Sequence, residues 1–385
     1  MRVALIAVGE GGAAPWPEIA GRPLLLRQFD FARACGVERV IAYGNGAPED
    51  AEALRNAAAR AKIAFAAIAS AHALVALVDW ADELIVLQPG LVPEAASAID
   101  AIREGERVLS FSAGAVRGGG LERIDAANMW SGALVLSGAL VDRLEQLGDD
   151  ADPHAALLRI ALQAHLPLHQ LPAAAMVDGS WTRTRPGADE AALNTARVRR
   201  LAGPGVARQP SRWAADWALA RFSLPLTQRR FTVAAGVALA VILLGAGLVA
   251  GRNGWIAPAF VAIALAVPVL HLARLLERVR RAAFQPSRLP RWLGTLPDAA
   301  LLIAGTLGID GALHRQLFPP LVMLIALRLM PPVGQWRAAI ADRALAALAI
   351  ALAALGGAQE IAIMAWALLA LAAGFATPEP GRLGR

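Results

Sequence analysis

Phe231–Ala250 and Trp255–Ala273 are two uncharged apolar stretches of 20 and 19 residues with only four residues between them. Each is long enough as a helix to cross a hydrocarbon core of about 30 Å. No other feature of the sequence limits the fold so strongly. Residues 230–376 consist mostly of such runs, whereas residues 1–210 mix charged and apolar positions. The mean hydropathy of +0.48 is therefore the average of two unlike halves. The chain reads as a soluble N-terminal domain (1–205), an interfacial linker helix (206–230) and an all-α membrane domain (231–385).

Four further spans are expected near 296–309, 316–333, 343–356 and 359–376, which makes six. Arg212, Arg221, Arg229 and Arg230 precede the first span, and Arg252 alone follows it. Arg274, Arg278, Arg280, Arg281, Arg288 and Arg291 follow the second, and Arg315 follows the third. Arg328, Arg337 and Arg343 flank the loop after the fourth, the next loop is uncharged, and Arg382 and Arg385 lie beyond the sixth. Basic loops thus alternate with nearly neutral ones, which places both termini on the cytoplasmic side. The same distribution accounts for the +6 charge without nucleic acid as a partner.

Lys62 is the only lysine, and this Arg- and Ala-rich usage suggests a bacterial source, hence a bacterial inner membrane. Cys35 is alone, which excludes a disulfide framework and a cysteine-based zinc site. The first residues have no signal-peptide layout. The segment Arg212–Arg230 places Trp213, Trp217, Leu219 and Phe222 among arginines. It fits an interfacial amphipathic helix and equally a connecting helix packed on the N-terminal domain.

In the soluble half, Val3–Val8, Arg39–Tyr43, Glu83–Leu87 and "NMWSGALVLSG" (Asn128–Gly138) read as strands. Pro23–Cys35 reads as a helix, and so does the segment from Pro153 after an Asp152 cap. Alternating strands and helices predict an α/β, doubly wound parallel sheet.

"ALIAVGEGG…AGRPLLLRQFDFARACGVERVIA" is similar to the opening of sugar-phosphate nucleotidyltransferases, where a Gly-rich loop precedes a "GrPLL" helix. "MWSGALVLSGALVDRL" and "GSWTRTRPGADEAALNTA" resemble two later segments of that family. With the apolar half, the whole chain resembles bifunctional fusions of an inositol-phosphate cytidylyltransferase with a CDP-alcohol phosphatidyltransferase. The resemblance implies six spans, a cytoplasmic active site, phospholipid headgroup synthesis, magnesium as cofactor if the chain is active, CTP or a CDP-alcohol as ligand, and a homodimer.

The residues that carry the chemistry depart from that pattern. Gly9, Gly11 and Gly12 keep a cradle for nucleotide phosphates, but the family's loop Arg and Lys are replaced within Ala13–Glu18, and Glu10 and Glu18 would repel phosphate. Gln88-Pro89-Gly90 and Trp181–Thr184 stand where the family has metal carboxylates. In the membrane half the motif D-x2-D-G-x2-A-R keeps only Ala273-Arg274, with Ala266, Val269 and Leu270 at its Asp and Gly positions. The following G-x3-D-x3-D keeps Gly294 and Asp298, with Leu302 at its end. One of the six metal carboxylates thus remains.

The candidate catalytic residues are Glu122, Asp125, Arg274 and Asp298, with Arg123 and Gly118–Gly120 beside the first two. Glu122 and Asp125 read either as cleft groups or as an exposed strand edge. Asp298 reads either as a metal ligand or as the N-cap of the third span. Glu277 is expected in a solvated pair with Arg274 or Arg281, and His165-x3-His169 on a loop. The sequence therefore predicts a membrane protein with the architecture of those fusions that acts as a catalytically degenerate partner. The alternative is an active transferase with rearranged metal ligands that makes or uses a CDP-alcohol such as CDP-inositol. A small-solute carrier is a third possibility, disfavoured by the near-absence of carboxylates within the spans.

Overall fold

The computed structural model describes residues 1–8, 15–44, 48–114, 121–148, 151–202, 209–222, 226, 229, 231–282, 284–330 and 334–375. The chain divides into two compact units, residues 1–197 with 280–286, and residues 198–279 with 287–385. The boundary expected at residue 205 falls outside the described residues.

The first unit is built on a seven-stranded sheet. Its strands are β1 (Arg2–Ala7), β2 (Arg39–Tyr43), β3 (Ala64–Ile68), β4 (Glu83–Leu87), β6 (Arg107–Ser112), β7 (Asn128–Ser137) and β8 (Leu168–Gln170), in the order β3-β2-β1-β4-β7-β6-β8. Strands β5 (Leu91–Pro93) and β9 (Trp181–Arg183) form a separate antiparallel pair. The helices are α1 (Leu24–Ala34), α2 (Pro48–Ala61), α3 (His72–Val75), α4 (Ala96–Arg103), α5 (Gly138–Val141), α6 (Pro153–Gln163), α7 (Ala174–Val177) and α8 (Glu190–Ala202, to Arg197 in this unit). Central β1 is buried on both faces: Ala4 and Ile6 join one core cluster, Val3 and Leu5 the other. That is why it reads as a continuous apolar run rather than an alternation.

The sheet is mixed rather than wholly parallel, because β7 runs antiparallel to both β4 and β6. A parallel return needs a crossover of a dozen or more residues, usually helical. The described part of the connection from β6 to β7 contains no helix, so the chain comes back reversed. The expected cap at Asp152 is present, with its carboxylate accepting the His154 N–H at 3.1 Å.

The second unit is helical: α9 (Pro210–Arg221), α10 (Thr232–Arg252), α11 (Ile256–Arg280, to Val279 in this unit), α12 (Leu296–Leu307), α13 (Leu313–Leu329), α14 (Gln335–Ile340), α15 (Arg343–Ala354) and α16 (Gln359–Phe375). Two of them, α10 and α11, are long and apolar enough to cross a membrane. At 12 residues, α12 and α15 are each about 18 Å long, shorter than the hydrocarbon core. Phe260, Ile263, Leu301, Met323, Ile350 and Ile363 belong to its core. Small residues set the helix spacing: a Cβ at Gly247 would lie 2.9 Å from the Ala259 carbonyl oxygen, and one at Gly305 2.8 Å from Pro320 Cβ.

Helix α9 buries Ser211, Ala215 and Leu219, a four-residue spacing that defines one face, and packs on α15. Trp213 and Trp217 are exposed.

Candidate functional site

In the first unit, the glycines expected to cradle phosphates (Gly9, Gly11, Gly12), together with Glu10 and Gly118–Gly120, lie outside the described residues. The segment that follows β4 is described. Gln88 follows β4, and the side-chain amide of Gln28 on α1 holds the loop by donating to the Gln88 and Leu91 carbonyls at 3.0 and 2.9 Å. The Gln88 Oε1 atom is buried without a hydrogen-bond partner among the described residues and lies against Gly132. Gly90 takes φ +81° and packs so tightly on the Thr184 carbonyl and the Trp16 ring that a side chain there would collide with both. Trp181 donates from Nε1 to the Ser131 carbonyl at 2.8 Å. The ends of β4, β7 and β9 are thus drawn together by neutral groups.

Beneath them lies a charged cluster that the sequence did not reveal. Glu94 is fully buried between two arginines: Arg27 Nη1 donates to it at 2.9 Å, and Arg197 contacts both of its carboxylate oxygens. Burial first, and the neighbouring Arg197 second, push the Arg27 guanidinium down to about 9. Arg27 also donates to the Ile19 carbonyl, and Arg197 to the Arg281 carbonyl at 2.6 Å. Asn194 accepts the Ala20 N–H at 2.6 Å, which fixes the left-handed turn at Ala20–Gly21. Every oxygen of Glu94 meets a guanidinium, so this is a structural clamp. Its sequence signal was only two arginines within helices, Arg27 in α1 and Arg197 in α8, and a glutamate just after β5.

Glu122 and Asp125 take different places. Glu122 lines an open groove of about 560 Å³ with Leu158, Arg159, Leu162, Gln163 and His165, and Asp125 is not among its lining residues. Asp125 instead shapes a turn: its Oδ1 accepts the Ala127 and Asn128 N–H groups at 2.7 and 2.8 Å, and the Asn128 side-chain amide donates to both its oxygens. The Asn128 amide, followed by the Ala127 N–H, holds this carboxyl below its ordinary range. Arg123 donates to the Asp125 and Ala126 carbonyls. His169 lies in β8, not in a loop.

In the second unit, Arg274 and Gly294 come together. The guanidinium lies so close that a Cβ on Gly294 would sit 2.7 Å from its Nη2. Asp298 does not cap α12, since Thr295 holds that position; it lies in the first turn and turns inward. Its Oδ2 accepts from Arg328 Nε and Nη2 at 3.0 and 2.9 Å, and its Oδ1 from Arg343 Nε at 3.0 Å. Arg328 and Arg343 read in the sequence only as topology-setting charges. Glu277 is buried rather than solvated, and it accepts from the Ser287 hydroxyl and the Arg288 and Leu289 N–H groups. It thereby anchors the turn after α11. Asp342 caps α15 and accepts the Ser211 N–H at 2.6 Å, and the Ser211 hydroxyl lies 3.2 Å from His271 Nδ1.

Magnesium takes a near-octahedral set of oxygen ligands. Among the described residues no three His, Cys, Asp or Glu side chains gather to hold a metal ion. Around Asp298 the neighbours are guanidinium groups, which do not fit that donor set. Compared with known proteins, the chain matches no family model and no curated relative.

Proposed function

We propose that the chain is a six-span bacterial inner-membrane protein with its first unit in the cytoplasm, built like the cytidylyltransferase–phosphatidyltransferase fusions but without their metal chemistry. It serves phospholipid headgroup synthesis as a non-catalytic or divergent partner that binds a nucleotide, a lipid or an active enzyme. The observation that carries this reading is Asp298. The last carboxylate of the expected metal set is neutralised by Arg328 and Arg343. A carboxylate that accepts three guanidinium hydrogen bonds is a poor ligand for a second cation.

Membrane residence is supported by the surface of the second unit. Ile242, Leu352, Leu368 and Phe375 are exposed, and only 17% of the most apolar window of α10 is buried. Apolar surface on this scale needs a lipid or protein cover. The outward Trp213 and Trp217 of α9, which ends ten residues before Phe231 opens the first apolar stretch, suit the interfacial zone. The 3₁₀ turn Arg291–Gly294 ahead of α12 would lengthen that short span.

The test is calorimetry of the full chain with CTP and with a CDP-alcohol, in magnesium and in chelator, followed by product analysis with inositol phosphate. The reading expects no magnesium-dependent binding and no pyrophosphate release. Magnesium-dependent turnover would sink it in favour of an active transferase with rearranged ligands.

A further inference from the structure

Strand β3 closes one edge of the seven-stranded sheet, and its outer side is open. In its parallel pairing with β2, the Ala64 N–H donates to the Glu38 carbonyl and the Ile68 carbonyl accepts from the Gly44 N–H. Ala64, Ala66 and Ile68 therefore turn their backbone groups toward β2. The N–H and C=O groups of Phe65 and Ala67 point outward, and none has a hydrogen-bond partner among the described residues. Proteins guard a free edge with charges, proline, a bulge or a very short strand. Strand β8, at the opposite edge, is three residues long and carries His169 and Gln170. Strand β3 has none of these devices: its five residues, AFAAI, are uncharged and pair with β2 in unbroken register, and Ala64 and Ala67 are exposed. Beside it lies α2, whose Leu54, Ala57 and Ala58 share a core cluster with Phe65 and whose Arg55 guanidinium sits 5.4 Å over the Phe65 ring. Helix α2 starts after Tyr43, which pairs with Ile68, and ends just before Ala64. Glu49 and Glu52 thus stand toward the Ile68 end of the strand, and Arg60 and Lys62 toward the Ala64 end. All four are exposed, and none makes an ion pair among the described residues.

We infer that the free edge of β3 is an interface with a second copy of this chain, the two β3 strands pairing antiparallel about a two-fold axis at Ala66. In that register Phe65 faces Ala67 of the partner subunit, and every outward N–H and C=O group of Phe65 and Ala67 gains a partner. A ring then stands opposite a methyl group on the same face. A two-fold axis normal to the sheet keeps both α2 helices on one face and reverses their direction. Arg60 and Lys62 of each copy then meet Glu49 and Glu52 of the other at both ends of the interface. This charge match, repeated by the symmetry, selects a second copy over an unrelated strand. The inference concerns the first unit alone and rests on neither the metal-free reading nor the resemblance.

The test measures the molar mass of the full chain in neutral detergent by light scattering over a dilution series. The native chain is expected as two copies that separate on dilution. The Ala67 N–H faces away from β2, so Ala67→Pro removes no bond of the fold while it blocks the edge. A67P should keep the thermal midpoint and run as a single copy. R60E/K62E and E49K/E52K each set like charges against one another at both ends, and each should weaken self-association about tenfold. Mixed in equal amounts, these two variants should pair with each other as tightly as native copies do, because every contact is again between opposite charges. That recovery keeps the test decisive even where A67P does not fold, since general damage to the fold cannot be repaired by mixing. A native chain that stays single at every concentration overturns the inference. So does a dimer of undiminished affinity in A67P or in both charge variants, which would place the contact elsewhere, and so does a mixture of the charge variants that stays apart.

Discussion

Asp298 and Arg343 are joined by a 3.0 Å hydrogen bond from Nε to Oδ1, while Arg328 holds the other carboxylate oxygen. The pairing ties the start of α12 to the end of α13 and the start of α15. D298N removes the charge and leaves two arginines facing each other. Arg328 is about half exposed, so solvent recovers part of the loss, and the expected cost is about 2 kcal/mol. Thermal unfolding in detergent should show the same drop in chelator and in magnesium. A drop confined to magnesium would make the carboxylate a metal ligand.

Glu94 sits deeper, between two cations as buried as itself. E94Q leaves both guanidinium groups short of an anion and should cost about 3–5 kcal/mol, read from denaturant unfolding. Replacing Arg27, Glu94 and Arg197 together by apolar residues of similar volume should cost less than E94Q alone, because the desolvation penalty then disappears as well.

Cys35 gives an independent reading of the same unit. It is fully buried, and burial pushes its thiol up to about 12. A maleimide should leave it untouched at neutral pH in the folded chain and label it only through opening of the first unit. E94Q should raise the labelling rate by the factor that its loss of stability dictates. Rapid labelling of the native chain would contradict the burial.

The turn at Asp125 should be sensitive to acid but not to base. The folded carboxyl binds its proton more weakly than the unfolded one, because the Asn128 amide and two backbone N–H groups favour the ionised form. The contribution of this turn is therefore complete at neutral pH and fades as pH falls through the lowered folded value. Protection of the Ala127 and Asn128 amides, after correction for the intrinsic pH dependence of exchange, should hold from neutral pH to the ordinary aspartate range and then fall progressively through the lowered folded value. D125A should abolish that acid step.

Helix spacing in the second unit depends on particular glycines. G305A would place a Cβ 2.8 Å from Pro320 and should destabilise the bundle by about 1–3 kcal/mol. G245A has no atom within 4 Å of its new Cβ and should be neutral or slightly stabilising through helix propensity. Equal midpoints for the two variants would argue against close packing of α12 on α13.

What was legible in the sequence follows the range of the forces involved. Buried β1 and β4 and the long helices α10 and α11 announced themselves, because an unbroken apolar run has few other solutions. The reversal of β7 did not, since strand direction depends on the path of the connection and not on the strand's own residues. Asp298 was legible as a candidate, but its partners Arg328 and Arg343 lie 30 and 45 residues away along the chain. Glu94 was missed for the same reason: Arg27 is 67 residues before it and Arg197 is 103 after it. Local pattern shows which charges are present, and only the tertiary path shows which charges cancel.

The hydrogen bond from Arg197 to the Arg281 carbonyl carries a topological consequence. The chain leaves the first unit at Arg197 and returns to it at Arg280, so residues 198–279 form a closed excursion whose two ends are stapled together. An excursion that begins and ends at one point must cross any bilayer an even number of times. With α10 and α11 as its only segments long enough to cross among the described residues, the arithmetic permits one hairpin, out and back, or no crossing at all. A single span in this part of the chain is excluded by the staple, independently of any count of charges in the loops.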